Sequence, residues 1–487
     1  MSTPLAATGR RTFLKSTGRW AALGLTFGSR GGFASTPLRR PTDIRIERVR
    51  FSFEDFLYRS PVKFAGALMD RATVLTVECD VRTRSGKVAT GVGSMPFNHI
   101  FSYPSKTMSH EDKNSAMKAL AGELARTTEA FGEYSDPIDL FMRLDPEFLR
   151  AAARVSAERR LPDPIPKLCT HVTAAAFDAA IHDGFGQVHG VSVFRTYGPE
   201  FMNHDLSRYL GREYAGVYPE NYLLPKPRSR MTLCHLIGAV DPLDASQLKS
   251  PLRDGLPETL AEWIPYNGLR ELKIKVNGDN LDWDVERVLH VDRVMREAQE
   301  RRGGTQWEYV IDFNEKCPHV DYYLRFLHEL KRKLPQGLAR IKYSEQPTAR
   351  DLRAHPENRM HEAAKLCPVI IDESLVDVES LLLARELGWT GAVVKSPKGL
   401  THMLLITAAA LKHGIFLGGG DMSCPGRALV QTAAFQAHVP TITAIEANAR
   451  QYLPQANQGW ERTFPGIFEV RDGTLRTEEL DRPGLGA

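Results

Sequence analysis

The sequence lacks any long apolar run. No stretch approaches the roughly 18–20 uninterrupted apolar residues that a membrane-spanning helix needs, so no stable membrane span is predicted. Cysteine is also scarce, with six in 487 residues, no Cys-x-x-Cys pair and no spacing typical of zinc ligands. Scattered cysteines in a chain of this length predict free thiols, not a disulfide framework.

The sequence also lacks a strong overall charge. The formal net charge is +4, but residues 1–34 contain five basic residues and no acid, which leaves a net charge of −1 for the remainder. The basic charge therefore belongs to the N-terminal leader, and nucleic-acid binding is not indicated. With 42% apolar residues, the chain is long enough to bury the cores of two domains.

The first 40 residues have the features of a targeting segment. Gly9-Arg10-Arg11-Thr12-Phe13-Leu14-Lys15 precedes a mildly apolar stretch that ends near Phe27. This pattern resembles a twin-arginine export signal. It predicts a leader over residues 1–40, recognition by the twin-arginine export machinery, and a periplasmic or secreted protein. The alternative is a disordered basic tail.

Residues 41–197 are predicted to form an α+β domain. Two loops in this region, over residues 58–66 and 95–104, carry aromatic and polar side chains, and loop tips often contact ligands. Lys63, Phe64 and His99 are therefore candidate substrate-binding residues. The predicted strands cover residues 44–53, 72–81 and 87–92, and the predicted helical regions cover residues 109–160 and 170–187. An irregular insertion follows over residues 198–230.

After residue 230, short apolar strands alternate with helical stretches. Eight strands separated by helices predict a parallel barrel over residues 231–455, with a C-terminal segment over residues 456–487 that returns to the N-terminal domain. In such a barrel the active site lies at the C-terminal ends of the strands. The predicted strands cover residues 232–240, 271–276, 308–314, 339–346, 369–373, 392–396, 415–419 and 441–446.

Two lysines lie on one face of the second barrel strand. In Glu-Leu-Lys-Ile-Lys-Val (residues 271–276), Lys273 and Lys275 are two positions apart and point the same way. Mutual repulsion and lost hydration would lower a lysine pKa, so one of the pair could act as a base. The alternative is a solvated edge strand on which the lysines discourage aggregation.

Acidic residues end the next three strands, and another lysine ends the fourth. Asp312, Glu345, Asp372 and Lys395 are separated by steps close to the roughly 30 residues of one barrel unit. Three convergent carboxylates would repel each other unless a hard divalent cation joined them, and all-oxygen ligands favour Mg²⁺, with Mn²⁺ as the alternative. Lysines on both sides of a metal-bound carboxylate could remove and return its α-proton.

As a set, these residues resemble the enolase superfamily, specifically the muconate-lactonising subgroup of the mandelate racemase/muconate lactonising enzyme family. The resemblance covers roughly residues 44–487 and includes the terminal Asp472-Gly473-Thr474-Leu475 segment. It implies an α/β fold, with a modified (β/α)7β TIM-type barrel and an N-terminal α+β capping domain. It also implies a homo-oligomer. The motifs are Lys273-Ile274-Lys275, Asp312 with Asn314, Ser344-Glu345-Gln346-Pro347, Asp372-Glu373-Ser374 and Lys395.

The resemblance also implies roles for individual residues. Asp312, Glu345 and Asp372 would hold Mg²⁺. Lys275 and Lys395 would be the acid/base pair, and Lys273 would tune or orient them. Asn314 and Glu373 would support the metal ligands from behind.

The last two barrel strands depart from the patterns of relatives. The seventh strand, Ile-Phe-Leu-Gly-Gly-Gly-Asp over residues 415–421, lacks the histidine base of the mandelate racemase subgroup, which favours the chemistry of two lysines. The eighth ends Ile445-Glu446-Ala447-Asn448, where dipeptide epimerases of the family carry Asp-x-Asp. Asp421 and Glu446 are further candidate substrate-binding residues.

The expected function is Mg²⁺-dependent abstraction of the α-proton of a small carboxylate substrate, which gives an enolate intermediate. Racemisation, epimerisation or cycloisomerisation would follow. The alternatives are an acid dehydratase that catalyses β-elimination, a non-catalytic carboxylate-binding protein on the same fold, and a metal-dependent aldolase or hydrolase that would not need the opposing lysines.

Overall fold

A three-stranded antiparallel sheet begins the fold. In the computed structural model, which describes residues 40–64, 66–304 and 306–487, β1 (Ile44–Phe64) pairs with β2 (Ala67–Thr83), and β2 pairs with β3 (Val88–Pro96). The predicted export leader falls on residues 1–39, which lie outside the described residues, and on Arg40.

The predicted loop over residues 58–66 is wrong, because β1 continues to Phe64. Residues 62–64 pair with residues 67–69. The register shifts between Leu57 and Val62, and this irregular stretch contains Pro61, which has no N–H to donate to a ladder. Lys63 and Phe64 therefore lie near the tip of a long paired hairpin.

Helices α1 (His99–Ser102), α2 (His110–Ala130), α3 (Pro137–Glu158) and α4 (Lys167–His189) follow the sheet. The predicted helical region over residues 109–160 is thus two helices. The side chains of Ser109 and Asp136 begin them by accepting the N–H groups of Asp112 and Asp139.

All eight predicted barrel strands are present, and they curl into one parallel sheet with the neighbour order β10-β9-β8-β7-β6-β5-β4-β11. A Cβ built on Gly419 of β10 would lie 3.0 Å from the carbonyl oxygen of Ala444 in β11, so the two ends of the sheet meet. The strands are β4 (Arg230–Ile237), β5 (Glu271–Lys275), β6 (Glu308–Asp312), β7 (Ile341–Glu345), β8 (Val369–Ile371), β9 (Gly391–Val394), β10 (Phe416–Gly419) and β11 (Ala444–Ile445); β12 (Thr474–Arg476) adds antiparallel to β4.

Helices connect the barrel strands and cover the outside of the barrel. The connection between β7 and β8 is an exception: residues 346–368, all of them described, contain only a 3₁₀ turn at Ala363–Lys365. The fold is therefore an α/β modified (β/α)7β barrel with an N-terminal α+β capping unit, as predicted. The remaining helices are α5 (Ser207–Leu210), α6 (Leu260–Asn267), α7 (Leu281–Arg302), α8 (Val320–Lys333), α9 (Pro335–Ala339), α10 (Val378–Glu386), α11 (Leu400–Lys412), α12 (Arg427–His438), α13 (Ala449–Tyr452), α14 (Trp460–Thr463) and α15 (Pro465–Phe468).

The predicted insertion over residues 198–230 is a series of short turns around α5. Its Leu206 and Tyr214 pack against Leu405 and Ala408 on α11. The insertion therefore covers the outer face of a barrel helix.

Helix α4 joins the N-terminal sheet to the barrel. Asp178 accepts hydrogen bonds from the N–H and the hydroxyl of Thr401, both at 2.7 Å, in the first turn of α11. Asp183 accepts the N–H of Val92 in β3 at 2.9 Å and that of Leu485 at 2.8 Å. One helix thus fixes the sheet, a barrel helix and the C-terminal segment relative to each other.

None of the helices in the described part of the chain has the length and apolar character that crossing a membrane requires. The six cysteines all fall in that part, where each is buried and free, as their spacing predicted.

The packing of β3 on α4 leads to the first testable prediction. A Cβ at Gly93 would lie 2.0 Å from the carbonyl oxygen of Ala176 and 2.6 Å from the nitrogen of Ala180. Because backbone cannot move aside cheaply, Gly93→Ala should lower the free energy of unfolding by at least about 2 kcal/mol. Chemical denaturation of the full chain measures this change.

Gly122→Ala is the matched control. Gly122 lies within α2, where the nearest described atom to a new Cβ is Arg126 Nη1 at 4.0 Å. This substitution should stabilise the protein by up to about 1 kcal/mol, since alanine favours helix. A Gly93→Ala protein as stable as the wild type would contradict the described packing.

Candidate active site

Five adjacent barrel strands bring lysines and acids together at their C-terminal ends. Lys275, Asp312 and Glu345 are in register as the last residues of β5, β6 and β7. Asp372 and Lys395 directly follow β8 and β9. Neighbouring parallel strands place residues in register side by side. All five side chains are therefore brought to one end of the barrel, and none is more than 5% exposed.

Lys273 lies at the centre of this cluster. Its Nζ donates to Glu345 Oε1 at 2.9 Å and to Glu446 Oε1 at 2.8 Å. The same Nζ lies 3.2 Å from Asp312 Oδ2. Glu446, which follows β11, also accepts a hydrogen bond from Asn448 Nδ2 at 2.8 Å. A fourth carboxylate thus joins the three predicted metal ligands.

Lys275 lies on one side of the acids. Its Nζ donates to Asp312 Oδ2 and, at 2.9 Å, to Asn314 Oδ1. Asn314 in turn donates through Nδ2 to Glu373 Oε1 at 3.2 Å. The amide therefore joins the lysine to the second acid of the Asp372-Glu373 pair.

Lys395 lies at the other end of the row of acids and donates to Asp372 Oδ2 at 2.7 Å. Lys398, which sequence reasoning missed, lies 2.9 Å from Asp372 Oδ1 and also donates to the Asp372 carbonyl oxygen. A 3₁₀ turn over residues 396–398 returns this second lysine to the cluster. The available signal was the Lys-Ser-Pro-Lys sequence at the end of β9.

The expectation of a lowered lysine pKa is wrong for Lys273. Burial alone lowers the pKa of its ammonium, but Glu345, Glu446 and Asp312 together raise that pKa well above its usual value. Burial likewise lowers the pKa of Lys395, and Asp372 and Glu345 raise it by more. The nearest neighbours of each amine are carboxylates, and their attraction outweighs the repulsion between lysines.

The acids have pKa values shifted in opposite directions. Burial raises the pKa of Asp312, but Lys275 and Lys273 lower it to about 2. Burial, followed by repulsion from Asp312, raises the pKa of Glu345 well above its usual value. Burial, followed by repulsion from Asp372, raises the pKa of Glu373 to about 8. Neighbouring carboxyl groups whose pKa values are shifted in opposite directions are typical of functional sites.

The donor set fits a hard divalent cation. Among the described residues, Glu345 Oε2, Asp372 Oδ1 and Glu373 Oε2 are buried oxygens without an aligned hydrogen-bond donor. Carboxylate oxygens without histidine or cysteine suit Mg²⁺ or Mn²⁺. Asp312, Glu345 and Asp372 are the residues that would hold it.

Two phenylalanines of the capping unit cover the lysines. The Phe64 ring, at the hairpin tip, lies 5.1 Å from Lys275 Nζ, and the Phe101 ring, on α1, lies 4.8 Å from Lys395 Nζ. The two rings pack edge to face with centroids 6.1 Å apart. These aromatic side chains shield the amines from water and strengthen their interactions with the acids.

The other predicted substrate-binding residues lie at different distances from this cluster. Lys63 Nζ donates to Asn277 Oδ1 at 2.8 Å, beside the end of β5. His99 is not brought to the acids: its Nε2 lies 2.8 Å from Nδ1 of His110 on α2, and Phe101 is the residue of that segment that reaches the lysines. Sequence reasoning placed His99 on a loop and could not foresee the short helix α1.

Asp421 has both carboxylate oxygens engaged by backbone. Oδ1 accepts the N–H groups of Met422 and Cys424 at 2.7 and 2.9 Å, and Oδ2 accepts that of Asn448 at 2.9 Å. This residue therefore holds the loop after β10 against the end of β11, and the prediction that it contacts a substrate gains no support from its geometry.

Known proteins are similar to this chain in part of the sequence and in fold. Residues 256–487 match the protein family described as "Enolase C-terminal domain-like". No curated protein matches the sequence at a significant level. The matched range covers all barrel strands except β4, together with the C-terminal segment.

Three solved enzyme structures share the fold. The L-Ala-D/L-Glu epimerase from Bacillus subtilis has a TM-score of 0.60 and 17% identity, over 91% of this chain and 98% of its own. A dipeptide epimerase from Enterococcus faecalis V583 is complexed with Mg and the dipeptide L-Leu-L-Tyr. It has a TM-score of 0.57 and 17% identity, over 91% of this chain and 99% of its own. An enolase from Bradyrhizobium is complexed with magnesium and mandelic acid. It has a TM-score of 0.58 and 15% identity, over 91% of this chain and 95% of its own.

The raised pKa of Glu373 leads to a prediction about stability. Between its ordinary pKa of 4.5 and the folded value of about 8, the folded protein binds a proton that the unfolded chain releases. This contribution to stability is therefore present below pH 4.5 and is lost as the pH rises to 8. Between pH 5 and pH 8, the free energy of unfolding of Glu373→Gln should therefore rise by at least about 1 kcal/mol relative to that of the wild type.

Urea denaturation without divalent ions, at both pH values, measures this difference. Glu379→Gln is the control, because its side chain is 75% exposed on α10, and it should track the wild type at both pH values. A stability difference for Glu373→Gln that does not change with pH would show that Glu373 is not held protonated.

Proposed function

We propose that this chain is a Mg²⁺-dependent enzyme of the enolase superfamily that abstracts the α-proton of a small carboxylate substrate. One observation carries the proposal: Lys275 and Lys395 bracket a row of three buried carboxylates that three adjacent strand ends supply. The match of residues 256–487 to the enolase C-terminal domain-like family supports the same conclusion.

The proposed mechanism assigns a role to each side chain. Mg²⁺ held by Asp312, Glu345 and Asp372 would stabilise the second negative charge that develops when the α-carbon of a bound carboxylate loses its proton. Lys275 removes the proton from one face of the α-carbon or delivers it there. Lys395 does the same on the opposite face, and the reaction passes through an enolate of the substrate.

Supporting residues prepare the two amines for this task. Asp312 and Asp372 orient Lys275 and Lys395 by hydrogen bonds. Lys273, held by Glu345 and Glu446, adds a fixed positive charge beside the enolate oxygens. Phe64 and Phe101 exclude water from the mouth, which limits proton exchange with solvent.

The arrangement favours racemisation or epimerisation, because an amine on each side can both take and return a proton. The epimerase from E. faecalis and the enolase from Bradyrhizobium, which share the fold, hold a dipeptide and mandelic acid. Cycloisomerisation and β-elimination use the same type of amine pair. Dipeptides are the first class to test, because the epimerase from E. faecalis that shares the fold holds one.

Deuterium exchange tests the proposal. The full chain is incubated in D₂O with Mg²⁺ and separate enantiomers of dipeptides, N-acyl amino acids and α-hydroxy aryl acids, and α-deuterium is measured by NMR. We expect exchange with at least one class. Lys275→Met and Lys395→Met should each lower it at least about 100-fold for the enantiomer whose proton faces the missing amine.

Lys331→Met, at the exposed end of α8, is the control and should keep wild-type exchange. Chelation of Mg²⁺ or Asp312→Asn should abolish exchange. Adding α,β-dihydroxy acids to the same assay tests for an acid dehydratase, which would release water and form a 2-keto acid. Ligand binding without any exchange would favour a non-catalytic binding protein, and full activity in Lys395→Met would favour an aldolase or hydrolase.

We also propose that residues 1–40 direct export by the twin-arginine machinery to the periplasm or beyond. The proposal rests on the Arg10-Arg11 pair and the apolar stretch after it. Replacing both residues by lysine should keep the protein in the cytoplasmic fraction, because the export machinery recognises paired arginines. Immunoblots of cell fractions measure this, with Arg39→Lys as control. Unchanged export of the Arg10→Lys/Arg11→Lys protein would contradict the proposal.

The expectation that the chain forms a homo-oligomer stays a prediction.

A further inference from the structure

A second group of potential metal ligands lies outside the barrel mouth. Asp145 on α3, His171 on α4 and His402 on α11 each offer one ligand atom, and these three atoms lie within 4.8 Å of one another. The group therefore joins two helices of the capping unit to one helix of the barrel.

The distances within the group lie at the long end of hydrogen-bond lengths and match the separation of adjacent ligands of a small ion. His171 Nε2 lies 3.2 Å from Asp145 Oδ1, and His402 Nε2 lies 3.4 Å from the same oxygen. Zinc bonds to histidine nitrogen and carboxylate oxygen are about 2.0–2.2 Å long, which separates the ligands of a tetrahedral ion by roughly 3.3–3.5 Å. One oxygen facing two imidazole nitrogens at this separation has the spacing of adjacent ligands.

His171 supplies an independent observation. Its side chain is wholly buried, and neither ring nitrogen has an aligned hydrogen-bond partner among the described residues. Its ring is stacked on that of His402, with centroids 4.2 Å apart, so one ring must turn before both nitrogens can bind the same ion in their ring planes. A buried imidazole whose ring nitrogens lack aligned partners calls for an explanation, and a bound ion supplies one.

We propose that Asp145, His171 and His402 bind a Zn²⁺ ion that ties α3 and α4 to α11. Two imidazole nitrogens and one carboxylate oxygen suit a borderline transition-metal ion and do not suit Mg²⁺, which prefers oxygen ligands. Water or the second carboxylate oxygen completes the coordination.

The place of α11 gives this ion a structural role. The helix begins at Leu400, directly after the turn that carries Lys395 and Lys398. The zinc ion holds this helix against the capping unit, in addition to the hydrogen bonds between Asp178 and Thr401. It thereby fixes the segment from which one proposed catalytic lysine extends.

Zinc titration of the full-length protein tests the proposal. The protein is stripped with a chelator, given millimolar Mg²⁺ to fill the barrel site, and titrated with Zn²⁺ against a chromophoric competitor. We expect one Zn²⁺ per chain in the wild type and in Asp312→Asn. His402→Gln and Asp145→Asn should weaken binding at least about 100-fold, because even loss of a group that only orients a ligand costs 10- to 100-fold.

His189→Gln is the matched control, because it removes another histidine of α4 and leaves the three ligands intact. Zn²⁺ should raise the thermal unfolding midpoint of the wild type and of His189→Gln but not that of His402→Gln. Circular dichroism confirms that each variant is folded.

The wild type itself supplies a measurement that needs no variant of the three ligands. Co²⁺ added in place of Zn²⁺ should give the intense visible absorption of a tetrahedral site in the wild type and in Asp312→Asn. Zn²⁺ binding that Asp312→Asn abolishes, equal binding in His402→Gln and Asp145→Asn, or no tetrahedral Co²⁺ spectrum would each overturn the proposal and leave a hydrogen-bonded group of one aspartate and two histidines.

Discussion

The charge balance between buried carboxylates and buried ammonium groups is the constraint on which the barrel mouth depends. Asp312, Glu345 and Asp372 are almost fully removed from water, and each has a lysine amine within 3.2 Å. Removing one partner of such a pair leaves an uncompensated buried charge, which is strongly destabilising. The same closeness makes the site responsive to a cation: an ion that binds the acids changes the partners of every lysine at once. The arrangement that stabilises the fold is thus also the one that raises the pKa of Lys395.

The capping unit completes this balance, because the strength of buried ion pairs depends on excluding water. Phe64 arrives on the β1–β2 hairpin and Phe101 on α1, and the two rings meet above the amines. Helix α4 keeps the capping unit in place: it packs so closely on β3 that Gly93 has no room for a Cβ, and Asp178 caps α11. Cap and barrel are therefore mechanically coupled through α4.

Much of the barrel and of its acidic cluster could be predicted from the sequence, because both depend on regular local features. The alternation of apolar strands and helices can be recognised in the sequence. Because neighbouring parallel strands end on the same side of the barrel, Asp312, Glu345 and Asp372 were expected to lie close together. Features that depend on tertiary contacts could not be predicted. The hairpin continues through Pro61 because a bulge accommodates it, Lys398 returns through a 3₁₀ turn, and Asp421 faces backbone. The direction of the Lys273 pKa shift required knowing that Glu345 and Glu446 both lie beside its amine.

The two proposed metal sites differ in the chemistry of their ligands, and this difference allows both to be selective. The barrel mouth offers only oxygen, on rigid strand ends, whereas Asp145, His171 and His402 offer two nitrogens on three helices. A borderline ion gains more from imidazole than a hard ion does, so Zn²⁺ and Mg²⁺ would divide between the sites by ligand type. In the chain, Lys395 lies between Asp372 of the barrel site and His402 of the helical site, seven residues before His402. A zinc ion that fixed α11 would thus position the amine on one side of the substrate without contacting it, and fold stability and proton transfer would share one helix.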